Sequence, residues 1–124
     1  MNEKSLISII VLNYNAGELL LNCIDSLKKS TYQNIEILVV DNISSDDSHT
    51  KCKKQFPDIK LIQNRKNLGY CGGNNVGIKE AKGEFIVILN PDTIVEENWL
   101  DEMFNAFNEF GDGLYQPKII LLNE

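Results

Sequence analysis

Five short apolar runs rich in β-branched residues alternate along this 124-residue chain with segments of helical character. The runs span residues 6–12, 35–40, 59–62, 85–89 and 118–122. Such nearly continuous apolar runs are typical of strands that are buried on both faces of a parallel sheet. Strands that alternate with helices form right-handed βαβ units. The sequence therefore predicts one α/β domain over residues 1–124, a Rossmann-like three-layer sandwich with a mainly parallel sheet.

The segments between the runs carry the signals of helices. Apolar residues at helical spacing predict one helix over Leu19–Leu27 and another from about Glu96 to Phe110. The polar cluster Ser44–Asp47 supplies N-cap residues for a helix that runs towards Phe56. We expect a glycine-rich turn over residues 69–73 to lead into a short helix that ends near Gly83 as its C-cap.

The composition argues against one class of function and sets expectations for the cysteines, the histidine and the location of the protein. A formal net charge of -6 argues against a general nucleic-acid binder, which needs a basic surface. The three cysteines lack the paired spacing of a zinc site, and we expect them to be reduced, small buried residues. His49, the only histidine, is expected at the surface. The sequence shows no signal peptide, so we expect a cytoplasmic protein, with peripheral membrane association of a full-length protein left open.

Polar residues follow each of the first four predicted strands. Asn13-Tyr14-Asn15 follows the first strand and Asp41-Asn42 the second, while Asn64–Asn67 and Asn90–Thr93 follow the third and fourth. In an open parallel sheet, ligands bind beyond the carboxyl ends of the strands. The coincidence of four polar segments at one edge therefore predicts a binding site for a polar ligand.

These segments resemble the family 2 glycosyltransferases, whose nucleotide-binding fold is called GT-A. The matching stretches are residues 8–15, 39–42, 67–77 and 89–93, and the last two are most similar to the rhamnosyltransferase-like branch. The resemblance implies an enzyme of hexosyltransferase type that transfers a sugar from a UDP- or dTDP-sugar to an acceptor hydroxyl, with inversion. It implies a role in polysaccharide biosynthesis, with a glycan or lipid-linked acceptor in the full-length protein.

The resemblance also implies which residues bind the nucleotide. Tyr14 would place its ring against the pyrimidine, Asp41 would accept hydrogen bonds from the ribose or the base, and Asn42 suits a pyrimidine edge. Tyr14 is alternatively a half-buried residue at a strand end, and Asp41 a turn-forming carboxylate. The expected nucleotide-binding residues are Leu12, Asn13, Tyr14, Asp41, Asn42, Gly72, Gly73, Asn74 and Asn90.

Gly72 and Gly73 would let the backbone approach a phosphate or the sugar, with Asn74 beside them near a helix start. The alternative is a tight connection between strand and helix in which the glycines serve packing. Family members carry a DxD motif where this chain has Asn90-Pro91-Asp92, so Asp92 is the expected ligand of Mg²⁺ or Mn²⁺. One carboxylate, phosphate oxygens and water suffice for Mg²⁺. The alternative is a simple turn capped by Thr93.

The resemblance leaves the catalytic residues unassigned. The family's catalytic base lies well after the metal motif, and nothing in the last thirty or so residues resembles it. We therefore expect a donor-binding half that binds nucleotide weakly, transfers no sugar alone and forms a homodimer through the strand at 118–122. A non-catalytic nucleotide-sugar-binding module is the main alternative. A dinucleotide-binding domain ranks lower because no GxGxxG follows the first strand, and a phospho-acceptor domain ranks lower still.

Overall fold

The computed structural model describes residues 5–120. Four strands alternate with four helices in this part of the chain. In chain order the elements are β1 (Ile7–Asn13), α1 (Glu18–Lys28), β2 (Ile35–Asp41), α2 (Ser48–Gln55), β3 (Lys60–Gln63), α3 (Gly69–Glu80), β4 (Phe85–Leu89) and α4 (Trp99–Phe110).

The strands form one parallel sheet in the order β3-β2-β1-β4. Asn13 lies opposite Asp41, and Asp41 lies opposite Gln63, so the first three strands end level with one another. Val11 lies opposite Leu89, the last residue of β4. The carboxyl ends of all four strands therefore share one edge, as the sequence predicts.

The two faces of the sheet are covered unequally. One face carries the main core, in which residues of β1 and β2 such as Ile9 and Val39 pack with residues of α1, α2 and α4. The other face carries a smaller cluster, in which Ile10, Leu38 and Val40 pack with α3. Alternation of side chains along each strand accounts for this division. The predicted three-layer α/β sandwich is confirmed.

The glycine-rich segment is helical, and the predicted turn at residues 69–73 is wrong. Helix α3 begins at Gly69 and ends at Glu80, with Ala81 rather than Gly83 as its C-cap. Glycines 69, 73 and 77 recur every four residues, which places them on one side of a helix. Glycine has a low helix propensity, which favoured the expected turn, but the close packing of Gly73 and Gly77 on the sheet outweighs it.

The predicted fifth strand is also different in the structure. Lys118, Ile119 and Ile120 are in no strand, and Ile119 and Ile120 are largely exposed. A strand requires a neighbour to accept and donate its backbone hydrogen bonds. Leu121 and Leu122 lie outside the described residues. The strand on which the expected homodimer depends is therefore not present among residues 118–120. Across residues 5–120, no helix has both the length and the apolar character that crossing a membrane requires.

Candidate functional site

The ends of β1 and β2 are joined by a buried polar network centred on Asp41. The Asn13 amide donates to Asp41 Oδ1 (2.9 Å), the Ser44 hydroxyl donates to the same oxygen (2.6 Å), and the Ser44 N–H donates to Oδ2 (3.0 Å). Asp41 is only 2% exposed. Buried polar groups are stabilised by hydrogen bonds of this kind. Asp41 lies at the strand end where the site is expected. Its hydrogen bonds to Ser44 also fit the alternative of a turn-forming carboxylate.

A second set of hydrogen bonds connects the loops that leave these two strands. Asn15 donates its N–H to the Ser44 hydroxyl (2.9 Å), and its side-chain oxygen accepts from the N–H groups of Ser45 (2.7 Å) and Asp46 (3.2 Å). Between Asn13 and Asn15, Tyr14 is 56% exposed. The network thus fixes the backbone on both sides of a tyrosine ring that is open to solvent.

Asn42 connects β2 to the loop before α3. Its amide N–H donates to the Gly69 carbonyl (3.0 Å), and its oxygen accepts from the Asn64 amide (2.9 Å) and from the Leu68 N–H (3.3 Å). Only 2% of Asn42 is exposed. Because both the nitrogen and the oxygen of this amide are hydrogen-bonded within the protein, this geometry supports a role in holding the loop rather than in reading a pyrimidine edge.

An Asn42→Asp variant tests this role. A carboxylate cannot donate to the Gly69 carbonyl, and it would place a charge in a buried position. We expect the variant to lose about 2 kcal/mol of unfolding free energy in urea denaturation, in line with other unsatisfied buried groups. Asn67→Asp is the control, since exposed Asn67 only accepts, from the Gly69 N–H. Equal stability of the two variants would show that the Asn42 amide does not hold the loop.

The glycines of α3 accommodate the sheet beneath the helix. A Cβ on Gly73 would meet the Leu12 side chain and stand 2.9 Å from the Asn42 amide nitrogen. A Cβ on Gly77 would meet Ile10 and Val40. The packing explanation of Gly73 is therefore supported, and Leu12 is its packing partner. Gly72, whose Cβ would meet only the Leu68 side chain, remains a predicted phosphate contact.

Asn74 is buried on α3 with both amide atoms lacking a hydrogen-bond partner among the described residues. A buried amide without partners is unfavourable by about 1–3 kcal/mol and is rare in folded proteins. Its available donor and acceptor agree with the prediction that Asn74 contacts a ligand. That contact remains a prediction.

The segment after β4 forms a turn that presents Asp92. The Thr93 N–H donates to the Asn90 carbonyl (3.2 Å), and Pro91 and Asp92 occupy the two central positions. Proline favours the first central position because its φ is fixed. Both Asn90 and Asp92 are exposed. The alternative prediction of a simple turn thus describes the backbone correctly. In this turn the Asp92 carboxylate is exposed to solvent.

The donor set at this turn fits a cation that is shared with a ligand. Among residues 5–120, no group of three or more His, Cys, Asp and Glu side chains converges as a metal centre. Asp92 therefore offers one carboxylate, which is how Mg²⁺ is often held when phosphate oxygens and water complete its shell. A metal held by protein side chains alone does not fit the described residues.

Two residues near the site make contacts that were not predicted from the sequence. The His49 ring is only 13% exposed, and its Nδ1 lies 3.7 Å from Asp41 Oδ1, so the expected surface position is wrong. Asp46 accepts hydrogen bonds from the Ser48 hydroxyl and N–H and from the Gly17 N–H, which hold the pKa of its carboxyl below the usual range. The run of serines and aspartates over residues 44–48 was the available signal.

The cysteines divide between core and surface. Cys23 and Cys52 are buried, whereas Cys71 is exposed, so the expected burial is wrong for Cys71. Burial, with smaller contributions from Cys52 and Asp92, raises the pKa of the Cys23 thiol to about 12. The Cys23 thiol lies 3.8 Å from the Asn90 carbonyl, which connects α1 to the Asp92 turn. Cys23 acts there as a neutral packing residue.

Relatives of known sequence are glycosyltransferases. GlyG, a glycosyltransferase of Streptococcus pneumoniae, is 37% identical over 109 residues, which cover 86% of this chain and 36% of GlyG. WfgD of Escherichia coli, a UDP-Glc:alpha-D-GlcNAc-diphosphoundecaprenol beta-1,3-glucosyltransferase, is 41% identical over 101 residues, which cover 80% of this chain and 40% of WfgD. The chain thus spans well under half the length of both relatives.

Solved structures agree in fold. Residues 1–349 of S. aureus TarS match with a TM-score of 0.75 and 26% identity, covering 89% of this chain and 38% of that one. TarS has been solved in complex with UDP and with UDP-GlcNAc. The model of the family described as "Glycosyl transferase family 2" matches residues 8–122. The chain belongs to glycosyltransferase family 2 and has the GT-A type of fold.

Proposed function

We propose that this chain binds the nucleoside diphosphate of a UDP- or dTDP-sugar at the carboxyl edge of its sheet, together with Mg²⁺ or Mn²⁺. The observation that carries the proposal is the exposed Tyr14 ring beside the buried Asp41 network, on the same sheet edge as the Asp92 turn. An aromatic face, a carboxylate and a cation ligand are the three groups that a base, a ribose and a diphosphate require.

In the full-length protein the proposed reaction is transfer of a hexosyl group to a hydroxyl of a glycan or lipid-linked acceptor, with inversion. The relatives GlyG and WfgD support sugar transfer, and WfgD supports a UDP-sugar donor and a lipid-linked acceptor. A bound divalent cation would offset the negative charge of the departing diphosphate. Asp92 would hold that cation, while Tyr14 and Asp41 would hold the base and ribose.

We assign a supporting role, without direct ligand contact, to Leu12, Asn13 and Asn42. Asn13 donates to Asp41, Asn42 holds the loop before α3, and Leu12 packs against Gly73. Such supporting contacts keep a binding residue in one orientation before the ligand arrives, which strengthens binding. We propose that Asn74 and Asn90 contact the ligand directly. The buried amide of Asn74 has no partner among the described residues, and Asn90 is exposed.

Nucleotide binding is tested by thermal denaturation and calorimetry. UDP with Mn²⁺ at about 100 times its dissociation constant is expected to add about 2.7 kcal/mol of stability, whereas NAD should add none. Tyr14→Ala should weaken UDP binding about tenfold or more, and Tyr14→Phe should weaken it far less, because stacking needs only the ring. Tight binding of NAD, or the absence of any pyrimidine nucleotide binding, would overturn the proposal.

A further inference from the structure

Ile43 has a backbone conformation that isoleucine rarely adopts. Its φ is +55°, and it follows Asp41 and Asn42 where the chain leaves β2. A β-branched residue in this left-handed region is strained, because its Cβ crowds the following carbonyl. Asn15 has a similar φ of +53°, but asparagine tolerates this conformation. Position 43 therefore carries a residue type that its backbone disfavours.

The neighbours of Ile43 impose this conformation from both sides. On one side, the Asn42 amide is fully engaged with Asn64, Leu68 and Gly69. On the other, the N–H and hydroxyl of Ser44 both donate to the Asp41 carboxylate. A backbone held at both ends keeps the strain instead of relaxing it. The Ile43 backbone is consequently held in this conformation, and 51% of the residue is exposed.

The segment that carries Ile43 lies next to the segment that carries Tyr14. The Asn42 N–H donates to the Asn13 carbonyl (2.9 Å), and the Asn15 N–H donates to the Ser44 hydroxyl (2.9 Å). These two hydrogen bonds bracket Tyr14 on one segment and Ile43 on the other. Two exposed apolar side chains, Tyr14 and Ile43, thus lie on adjacent chain segments at this edge of the sheet.

We propose that Ile43 is a specificity-determining residue that forms, with Tyr14, the apolar contact surface for the pyrimidine base of the donor. The inference rests on the proposed function, since it needs a nucleotide at this edge. A pyrimidine has two apolar faces, and a tyrosine ring can stack on only one of them. A β-branched side chain has few rotamers, so it provides a stiff second surface at little further loss of entropy. The hydrogen bonds of Asn42 and Ser44 hold the Ile43 backbone in place next to the segment that carries the ring.

The test is an Ile43→Asn variant, measured after UDP binding by the wild type has been established. Asparagine accepts the left-handed backbone, so the melting temperature should rise by roughly 3–6 °C as strain is relieved. The apolar surface is lost, so the dissociation constant for UDP should rise about five- to tenfold, as expected when half of an isoleucine side chain loses its burial. UMP should show the same loss, whereas pyrophosphate with Mn²⁺ should bind as tightly as to the wild type.

Two further variants separate the base contact from general effects. Ile43→Val keeps the branch and should lose much less affinity than Ile43→Asn. Leu114→Asn removes an exposed apolar residue that lines a groove with Ile7 and Glu84 at the opposite end of the strands, and it should leave UDP affinity unchanged. If Ile43→Asn binds UDP within twofold of the wild type, or loses pyrophosphate binding equally, the inference is wrong. Failure of the wild type to bind UDP would instead overturn the proposed function.

Discussion

Asp92→Ala is expected to bind UDP roughly 10–100-fold more weakly than the wild type in the presence of Mn²⁺, since contacts to a charged group contribute about 1.5–3 kcal/mol each. The Asp92 carboxylate is the protein's expected ligand for the cation at the Asn90–Thr93 turn. Without it, the cation would be held by the diphosphate alone. The affinities of the variant with Mn²⁺ and with EDTA should therefore become nearly equal, which titration calorimetry would measure.

The fold should not change in this variant. Asp92 is exposed at the centre of a turn whose hydrogen bond joins the backbone of Asn90 and Thr93. Substitutions at such exposed positions usually change the unfolding free energy by less than about 0.5 kcal/mol. A large fall in melting temperature would mean that lost affinity reports on folding rather than on metal binding.

Two control variants sharpen the interpretation. Asn90→Ala should lose less affinity than Asp92→Ala, because an amide oxygen is a weaker ligand than a carboxylate for a hard cation. Asp112→Ala removes the same charge from an exposed position near Glu84, at the opposite end of β4. Its UDP affinity should match that of the wild type. If Asp92→Ala binds UDP and Mn²⁺ as the wild type does, Asp92 has no role in metal binding.

The strands were predictable because their signal lies within each segment. The apolar runs predicted β1, β2 and β4 to within about one residue at each end, since strands buried on both faces need apolar side chains throughout. Once the strands and their parallel order are known, the residues that follow them must lie at one edge. This is why the segments that contain Tyr14, Asp41 and Asp92 could be placed at one edge from the sequence, while the roles expected of these residues came from the family resemblance.

The details of the site depend on pairs of residues that are far apart in the chain. Asn13 donates to Asp41, and Asn42 binds the Gly69 carbonyl, but neither partner can be read from local pattern. The burial of His49 has the same origin, because it follows from where α2 packs beside the end of β2. Local patterns therefore identified the edge of the sheet, and tertiary contacts decided which polar groups remain available to a ligand.

The glycines show the same distinction between local and tertiary causes. A cluster of glycines predicts a turn when only conformational freedom is considered. In α3, however, Gly73 and Gly77 lie where the helix approaches the sheet, and their missing side chains make that approach possible. Gly83 was predicted to be a helix cap, but its small size is required by β1 instead.

Gly83→Ala is expected to be the most destabilising of the substitutions considered, with a loss of about 3 kcal/mol, at the upper end of the range for overpacking. A Cβ at this position would stand 2.5 Å from the Ser8 hydroxyl oxygen, 2.6 Å from the Ser8 nitrogen and 2.9 Å from the Leu6 carbonyl oxygen. Two of these atoms belong to the backbone, so rotation of a side chain cannot remove the clash. The Gly83 N–H also donates to the Ser8 hydroxyl (2.7 Å), which would be displaced.

The Gly83→Ala substitution should lower the stability of the protein and leave its ligand binding unchanged. Gly83 precedes β4 at the end of the sheet opposite the proposed site, so the variant that remains folded at low temperature should bind UDP with unchanged affinity. Gly113→Ala is the matched control, because its Cβ would meet only a Tyr115 ring atom at 4.0 Å. Urea denaturation should show a large loss for Gly83→Ala and almost none for Gly113→Ala. Equal stability of the two would contradict the close approach of β1 and the segment before β4.

Asp92→Ala should show the opposite result, a loss of affinity without a loss of stability. Gly83 precedes β4 and packs on β1, whereas Asp92 follows β4 in an exposed turn at the proposed site.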